Sequence, residues 1–442
     1  MHLVKSLRQS TLDIRLLWVS VFLRMASYGL TNQVLTLYLR TLKISEPNIG
    51  LFMTLTLVGD TVISYGLTWY ADRIGRRLVM IIGSLMMFAS GLVFACYSHF
   101  AVLLVAAIFG VISPSGDETG PFKSVEEAAI AHLTPDNHRP EIFAFYGLFA
   151  TAGAALGSLV CGFVIDYLNL TRGYTLEVCY RSVFVIYMLV ALLKFVIMMF
   201  LSDSCEIGDE DEPEDLSDDG EVMNETNNLL TGNTERSPKR GLSNKTRHYL
   251  PRLLAIFMLD SLGYGFMPPA WVVYYLKTTF SITATTLGLL FFFTNSFDAI
   301  SSLPSAFLSK YLGPVKAILF TQAPAAVCYI IAGYASLFGM MAVFLVLYYT
   351  TSTMDVVPRT ILLTSIMPRH ELTKVMGMVN IGKTFARCIG PIFTGKLAEG
   401  SRLYVGFVIA GSCTLVSDVI LGMNFLDLDG EIQRKQSVEA SF

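Results

Sequence analysis

Residues 112–131 read ISPSGDETGPFKSVEEAAIA, and they follow an apolar run from Ala101 to Gly110. A helix that enters a bilayer with that run is still at membrane depth when it reaches Asp117, Glu118, Lys123, Glu126 and Glu127. Pro114, Gly116, Gly120 and Pro121 interrupt the same stretch. Charged groups at that depth are costly, so they face a water-filled pathway or a partner. Broken helical backbone is tolerated there only where it is buried in protein or lines a cavity. Both features predict part of a solute or ion pathway. For Glu126 and Glu127 a second reading stays open, in which the helix emerges early and leaves them in water.

The rest of the chain agrees with a membrane setting. Its 442 residues are 53% hydrophobic and only 15% charged, with a mean hydropathy of +0.55, which is the composition of a polytopic membrane protein. The formal net charge of −3 excludes no partner, but there is no basic stripe of the kind that binds nucleic acid. The seven cysteines form no CxxC or Cys/His ligand spacing, so neither a metal site nor a cofactor is expected. The first fifteen residues, MHLVKSLRQSTLDIR, lack the architecture of a signal peptide, because the apolar run after them is long enough to stay in the membrane.

A bilayer core takes about 20 apolar residues per helix. Spans are predicted near 14–39, 48–70, 78–97, 101–131, 143–168 and 181–201, then near 251–276, 284–307, 316–336, 338–366, 374–398 and 403–425. Four regions follow: a six-helix half over 1–201, an acidic linker over 202–248, a second six-helix half over 249–426 and a tail over 427–442. Arg73, Arg76, Arg77, Arg139, Lys310, Lys316, Arg369 and Lys374 share one side, which the positive-inside rule makes cytosolic together with both termini. Arg40, Lys43 and Lys277 lie on the other side.

The halves repeat one another. Tyr38-Leu39-Arg40 before Gly50 matches Tyr275-Leu276-Lys277 before Gly288, and Asp60 with Gly75 matches Asp298 with Gly313 at the same spacing. Pro135 with Gly157 likewise matches Pro368 with Gly390. The fourth span carries Asp117, Pro121 and Lys123, and the tenth carries Asp355, Pro358 and Arg359. Duplicated halves around a site at the midplane are an architecture of secondary transporters.

Between spans two and three, Thr68–Met80 reads TWYADRIGRRLVM. This resembles the GxLADRxGRRxxL signature of the major facilitator superfamily at Asp72, Arg73, Gly75, Arg76 and Arg77, with Thr68 where that family usually has Gly. The resemblance covers both halves. It implies an all-α membrane fold of twelve transmembrane helices in two pseudo-symmetric halves, with the loop acting as a conformational latch. The fourth and tenth spans resemble an uncharacterised fungal and bacterial branch of the family, so the resemblance gives no substrate. GSLVCG over 157–162 and GPIFTG over 390–395 resemble a degenerate GPxxGG segment of proton-linked drug antiporters; close helix packing explains the same glycines.

GMVNIGKT over 377–384 matches the pattern of a phosphate-binding loop. It lies within an apolar span, with no strand before it and no α/β pattern around it, so nucleotide binding is not expected. The linker carries DSCEIGDEDEPEDLSDDGEVMNETNNLL over 203–230, a composition that predicts disorder. Within it Glu225, Leu229 and Leu230 resemble an acidic dileucine sorting signal, which points to sorting adaptors and a plasma, vacuolar or endosomal membrane in a eukaryote. A chance pair of leucines is the alternative.

The charges predict the mechanism. Arg24, Asp60, Asp260, Asp298, Asp355, Arg359, Lys383 and Arg387 fall near the middle of their spans, as do Asp117 and Glu118. So many charges cannot face lipid, so most face a shared cavity or each other. Asp117 or Glu118, with Glu126, is expected to carry a coupling proton, and Lys123 to tune it or to bind an anionic group. Asp117/Lys123 and Asp355/Arg359 are expected to face each other across the pseudo-two-fold axis, as are Asp60 and Asp298. Tyr28, Tyr264, Trp271 and Tyr274 are candidates to line the cavity. The function expected is secondary transport of a small polar or amphipathic solute, coupled to protons; the alternative is a non-transporting receptor that signals through the linker. No nucleophile–base set suggests an enzyme.

Overall fold

The computed structural model describes residues 10–110, 112, 121–134, 138–206, 243–368 and 371–430. Asp117, Glu118, Glu225, Leu229 and Leu230 lie outside these residues, and so do the side chains of Thr68, Asp72 and Arg73.

Twelve helical spans run through the described residues. In the first half they are Leu12–Asn32 continued by Leu35–Thr41, then Glu46–Ile74, Arg76–Cys96, Phe100–Gly110 with Pro121–Leu133, Arg139–Asp166 and Leu176–Met199. In the second half they are Asn244–Phe266 with Pro269–Phe280, Ala284–Leu312, Pro314–Gly333, Phe338–Ser352 with Val356–Ile366, Leu372–Glu399 and Tyr404–Phe425. Span seven starts at Asn244, before the expected boundary, because the Ser243 hydroxyl accepts the Thr246 N–H and caps the helix. Spans three, five, six, seven, nine, ten and twelve are long and apolar enough to cross a membrane by themselves. The other five are the spans that hold Arg24, Asp60, the interrupted 112–120 stretch, Asp298, and Lys383 with Arg387.

The repeat seen in the sequence is built into the turns. Gly75 and Gly313 end spans two and eight with φ of 103° and 85°, a region that side chains other than glycine rarely enter. The helix that starts immediately afterwards is held by a carboxylate from beyond the last span of the same half. Glu206 accepts the N–H groups of Arg76 and Arg77 at 2.7 and 3.0 Å. Asp429 accepts those of Val315 and Lys316 at 2.8 and 2.9 Å. An anion on exposed helix N–H groups is favourable on both hydrogen-bond and dipole grounds.

Glycines set the helix crossings. Within the halves, Gly29 and Gly157 press spans one and five together, and Gly265 and Gly390 do the same for seven and eleven. Between the halves, a Cβ on Gly395 would lie 2.6 Å from the Glu46 carbonyl oxygen, and one on Gly288 would lie 2.7 Å from that of Ser158. Spans two and eleven, and spans five and eight, therefore meet backbone to backbone. These contacts lie at the ends away from Gly75 and Gly313, a face called distal below. Hydrogen bonds add to them there. Asp166 accepts the N–H groups of Ala284 and Thr285 at 3.1 and 2.7 Å, and Tyr274 donates to Glu46 at 2.9 Å.

Gly377–Thr384 lies inside the helix of span eleven, so the backbone N–H groups that a phosphate-binding loop would present are within helical turns.

Candidate functional site

Glu126 organises the first half. It sits on the segment of span four after the interruption and is fully buried. One carboxylate oxygen accepts from Ser20 at 2.7 Å and from the Lys194 ammonium at 3.3 Å. The other accepts from Arg24 at 2.9 Å and from the Tyr146 hydroxyl at 2.9 Å. Spans one, four, five and six thus converge on one carboxylate. The reading in which Glu126 lies in water is overturned, because Pro121–Leu133 is helical and turns this residue into the protein toward Arg24, where it is fully buried. A buried charge needs partners of this kind to persist.

Arg359 organises the second half. Its guanidinium contacts Asp260 at 2.8 Å and Asp355 at 2.5 Å, and it lies 5.3 Å over the Phe257 ring. Asp260 also accepts from Gln322 at 3.4 Å and from Thr414 at 3.2 Å. Asp355 is placed by a short 3₁₀ turn, Thr353–Asp355, that interrupts span ten. Asp418 of span twelve, 3% exposed, lies within electrostatic reach of Asp260, Arg359 and Asp355.

The two clusters correspond residue by residue. Glu126 and Arg359 are separated by 233 positions, the offset that also relates Gly157 to Gly390. Arg24 and Asp260 are separated by 236, the offset of the crossing glycines Gly29 and Gly265. Lys194 lies twelve residues before Glu206, and Asp418 eleven before Asp429. At each of the three places the sign of the charge is reversed: Arg, Glu and Lys in the first half become Asp, Arg and Asp in the second.

Between the halves lies a cavity of about 550 Å³. Asp260, Asp298, Asp355, Arg359, Lys383 and Arg387 line it from the second half, and Lys123 from the first. Arg387 stacks its guanidinium 4.7 Å over the ring of Tyr264, and Tyr329 stacks on Tyr348 at 3.9 Å. Asp298 accepts a hydrogen bond from Thr353.

Several expected residues sit elsewhere. Arg24 and Glu126 face each other inside the first half and are not among the lining residues. Asp60 is 1% exposed, near Cys388 of span eleven, so it does not share the cavity with its repeat partner Asp298. Tyr28 and Tyr264 line the cavity. Trp271 is fully buried in the core, and Tyr274 is held in the distal contact by Glu46 and by Arg40, 5.2 Å over its ring. Lys123, Asp355 and Arg359 line one cavity, while Asp117, expected to pair with Lys123, lies outside the described residues.

Lys194 and Asp418 were not singled out by sequence reasoning. Each is a lone charge in an otherwise apolar run on a span with no interruption to mark it. Aligning the sixth span with the twelfth would have placed them together.

A sequence model of the Major Facilitator Superfamily matches residues 17–242 and 253–440. The chain belongs to that superfamily. It is 49% identical over 434 residues to an uncharacterised membrane protein of Saccharomyces cerevisiae, YJR124C, covering 96% of each chain. It is 26% identical over 155 residues to the quinolone resistance protein NorA of Staphylococcus aureus, covering 35% of this chain and 38% of that one. Among solved structures it is similar to a bacterial homologue of the human lysosomal transporter Spinster, with a TM-score of 0.68 and 13% identity over 93% of this chain and 96% of the other.

Proposed function

We propose that the chain is a secondary active transporter that moves a small polar or amphipathic solute by alternating access, coupled to protons. The observation that carries this reading is the cavity between the halves. It presents carboxylates, cations and tyrosine rings together, a lining suited to a solute with both charged and flat apolar parts. A cation such as Arg387 stacked on Tyr264 can take an anionic group, while Asp298 can take a donor. The distal contacts through Gly395, Gly288, Asp166 and Tyr274 close one face, and rocking the halves about the cavity would break them. Both termini and the linker face the cytosol in this reading, in line with the basic residues on that side. The linker's Glu225, Leu229 and Leu230 would engage sorting adaptors.

The test is purified protein in liposomes that enclose a pH-sensitive dye, challenged with pooled amino acids, sugars, nucleosides and organic cations. A solute-dependent pH change that protein-free vesicles lack is the expected result. Wild-type protein that moves none of the pools in either direction, in tight vesicles, would refute the reading for these solute classes.

A further inference from the structure

We propose that Asp418 is the residue that binds the coupling proton, and that Arg359 links it to the solute cavity. This rests on the transport reading above and adds the site at which the proton is held.

The argument starts from the two clusters. In the first half the Glu126 carboxylate is met by two cations and two hydroxyls, so each lone pair that can be used has a donor. A proton arriving there would have to displace a cation, so this cluster is built to stay ionised. The second half has the reverse balance. Three carboxyls, Asp260, Asp355 and Asp418, surround one guanidinium, with the Lys383 ammonium within reach of Asp355. Counted with all groups ionised, the cluster carries a charge of −1, which one proton removes.

Geometry selects the carboxyl that holds it. Asp260 is held by Arg359, Gln322 and Thr414, and Asp355 by Arg359. Both oxygens of Asp418 are buried without a hydrogen-bond partner among the described residues. An ionised carboxylate in such a place carries an uncompensated desolvation penalty, which a protonated one does not. Asp418 is faced by Asp260 from span seven and by Arg359 and Asp355 from span ten. Span nine brings Gln322 to the cavity, and its one charged residue, Lys316, is at its terminal end; span eleven brings Lys383 and Arg387 to the cavity wall. Thr414, one turn before Asp418 on the same helix, lines the cavity, so Asp418 lies just behind the wall.

Arg359 lines the cavity and reaches the cluster. When its guanidinium leaves Asp260 for Asp418, the Asp418 O–H bond breaks, the proton passes to water, and the carboxylate pairs with Arg359. When Arg359 returns to Asp260, Asp418 takes a proton from water again. A solute group that competes for Arg359 or for Asp260 moves this equilibrium, which is the coupling.

The test has two readouts. In the first, infrared spectra of the chain in liposomes without solute are recorded across pH for wild type, Asp418→Asn, Asp418→Glu and Asp298→Asn. The expected result is a protonated-carboxyl band that is lost in Asp418→Asn, shifted in Asp418→Glu and retained in Asp298→Asn. A band unchanged in Asp418→Asn overturns the proposal whatever the transport result. Because a neutral amide mimics the protonated acid in shape, Asp418→Asn is expected to retain wild-type thermal stability. In the second, the dye-loaded vesicles are challenged with the same pooled solutes. Solute-evoked pH change that falls to the protein-free level in Asp418→Asn supports the coupling role, and full retention overturns it. Failure of wild type to move any solute counts against transport, while the infrared band alone decides the proton site.

Discussion

Replacing Glu126 with glutamine should be among the most damaging isosteric changes in this chain. The substitution keeps the shape and one acceptor but removes the negative charge between Arg24 and Lys194, leaving two cations in a site with no access to water. A unit-charge pair 4 Å apart is worth about 4 kcal/mol at an effective dielectric constant of about 20, against about 1 kcal/mol in water. Breaking a buried pair by removing one member costs about 3–5 kcal/mol, because the survivor is left uncompensated. The chain supplies its own control. Glu177 and Arg181 are also 2.9 Å apart, but their side chains are 44% and 30% exposed. Glu177→Gln should therefore cost less than about 1 kcal/mol. The assay is reversible unfolding of both variants in mixed micelles, followed by tryptophan fluorescence. Lys194→Met in the Glu126→Gln background should recover part of the loss, since it removes one of the two stranded cations. Equal losses for Glu126→Gln and Glu177→Gln, or no recovery with Lys194→Met, would refute the claim that burial rather than distance sets the strength of this cluster.

Other outcomes follow from the distal contacts and the turns. Gly395→Val places a side chain against the Glu46 carbonyl oxygen and should hold the distal face open; spin-label distances between the ends of spans two and eleven should lengthen, and unchanged distances would refute this. Asp429→Ala and Glu206→Ala each remove a carboxylate from two helix N–H groups and should cost about 0.5–2 kcal/mol apiece, additively because the turns belong to different halves; micelle unfolding checks both values. Burial pushes the Cys205 thiol up to about 12, so little of it is thiolate near neutral pH, and maleimide should modify it only after unfolding. Cys96 is exposed at the distal end of span three, so an impermeant maleimide added to intact cells should label it if the distal face is external; labelling only after permeabilisation would reverse the orientation.

The architecture was legible because membrane burial imposes strong sequence rules. Apolar length, basic loops and offsets shared between halves gave twelve spans, and Gly75 with Gly313 gave the matching turns. Proline, glycine and charge over 112–120 have one economical explanation at membrane depth, a broken helix, but residues 113–120 lie outside the described residues. Partner choice was not legible. Arg24, Asp60 and Glu126 all look like mid-span charges, yet none is among the cavity-lining residues; Asp298 and Arg359, equally mid-span, line it. What separates them is helix rotation, and rotation is set by the glycine crossings, whose partners lie more than 120 residues away in sequence. Gly29 meets Ala154 and Gly265 meets Arg387, contacts that periodicity within one span cannot reveal.

The reversal of sign between the halves is the feature that connects fold to mechanism. Duplication alone would give two equivalent clusters, both sealed salt bridges, and neither would be free to change its charge. Here the same three positions hold two cations around one carboxylate in the first half. In the second, two carboxylates and a cation lie beside a third carboxyl, Asp355, supplied by the break in span ten. The first arrangement is closed to water and satisfied, so it fixes the packing of spans one, four, five and six, and would keep it fixed under the proposed rocking of the halves. The second has more carboxyls than cations and borders the cavity, so its charge can follow what the cavity contains. Swapping the roles is therefore informative: Asp418→Lys would add a cation beside Arg359 and Lys383 and should fix Arg359 in one pairing. Such a variant should fold, bind solute from one face and fail to exchange it, which counterflow in preloaded vesicles would detect. Normal exchange by Asp418→Lys would show that the excess of carboxyls has no part in the cycle.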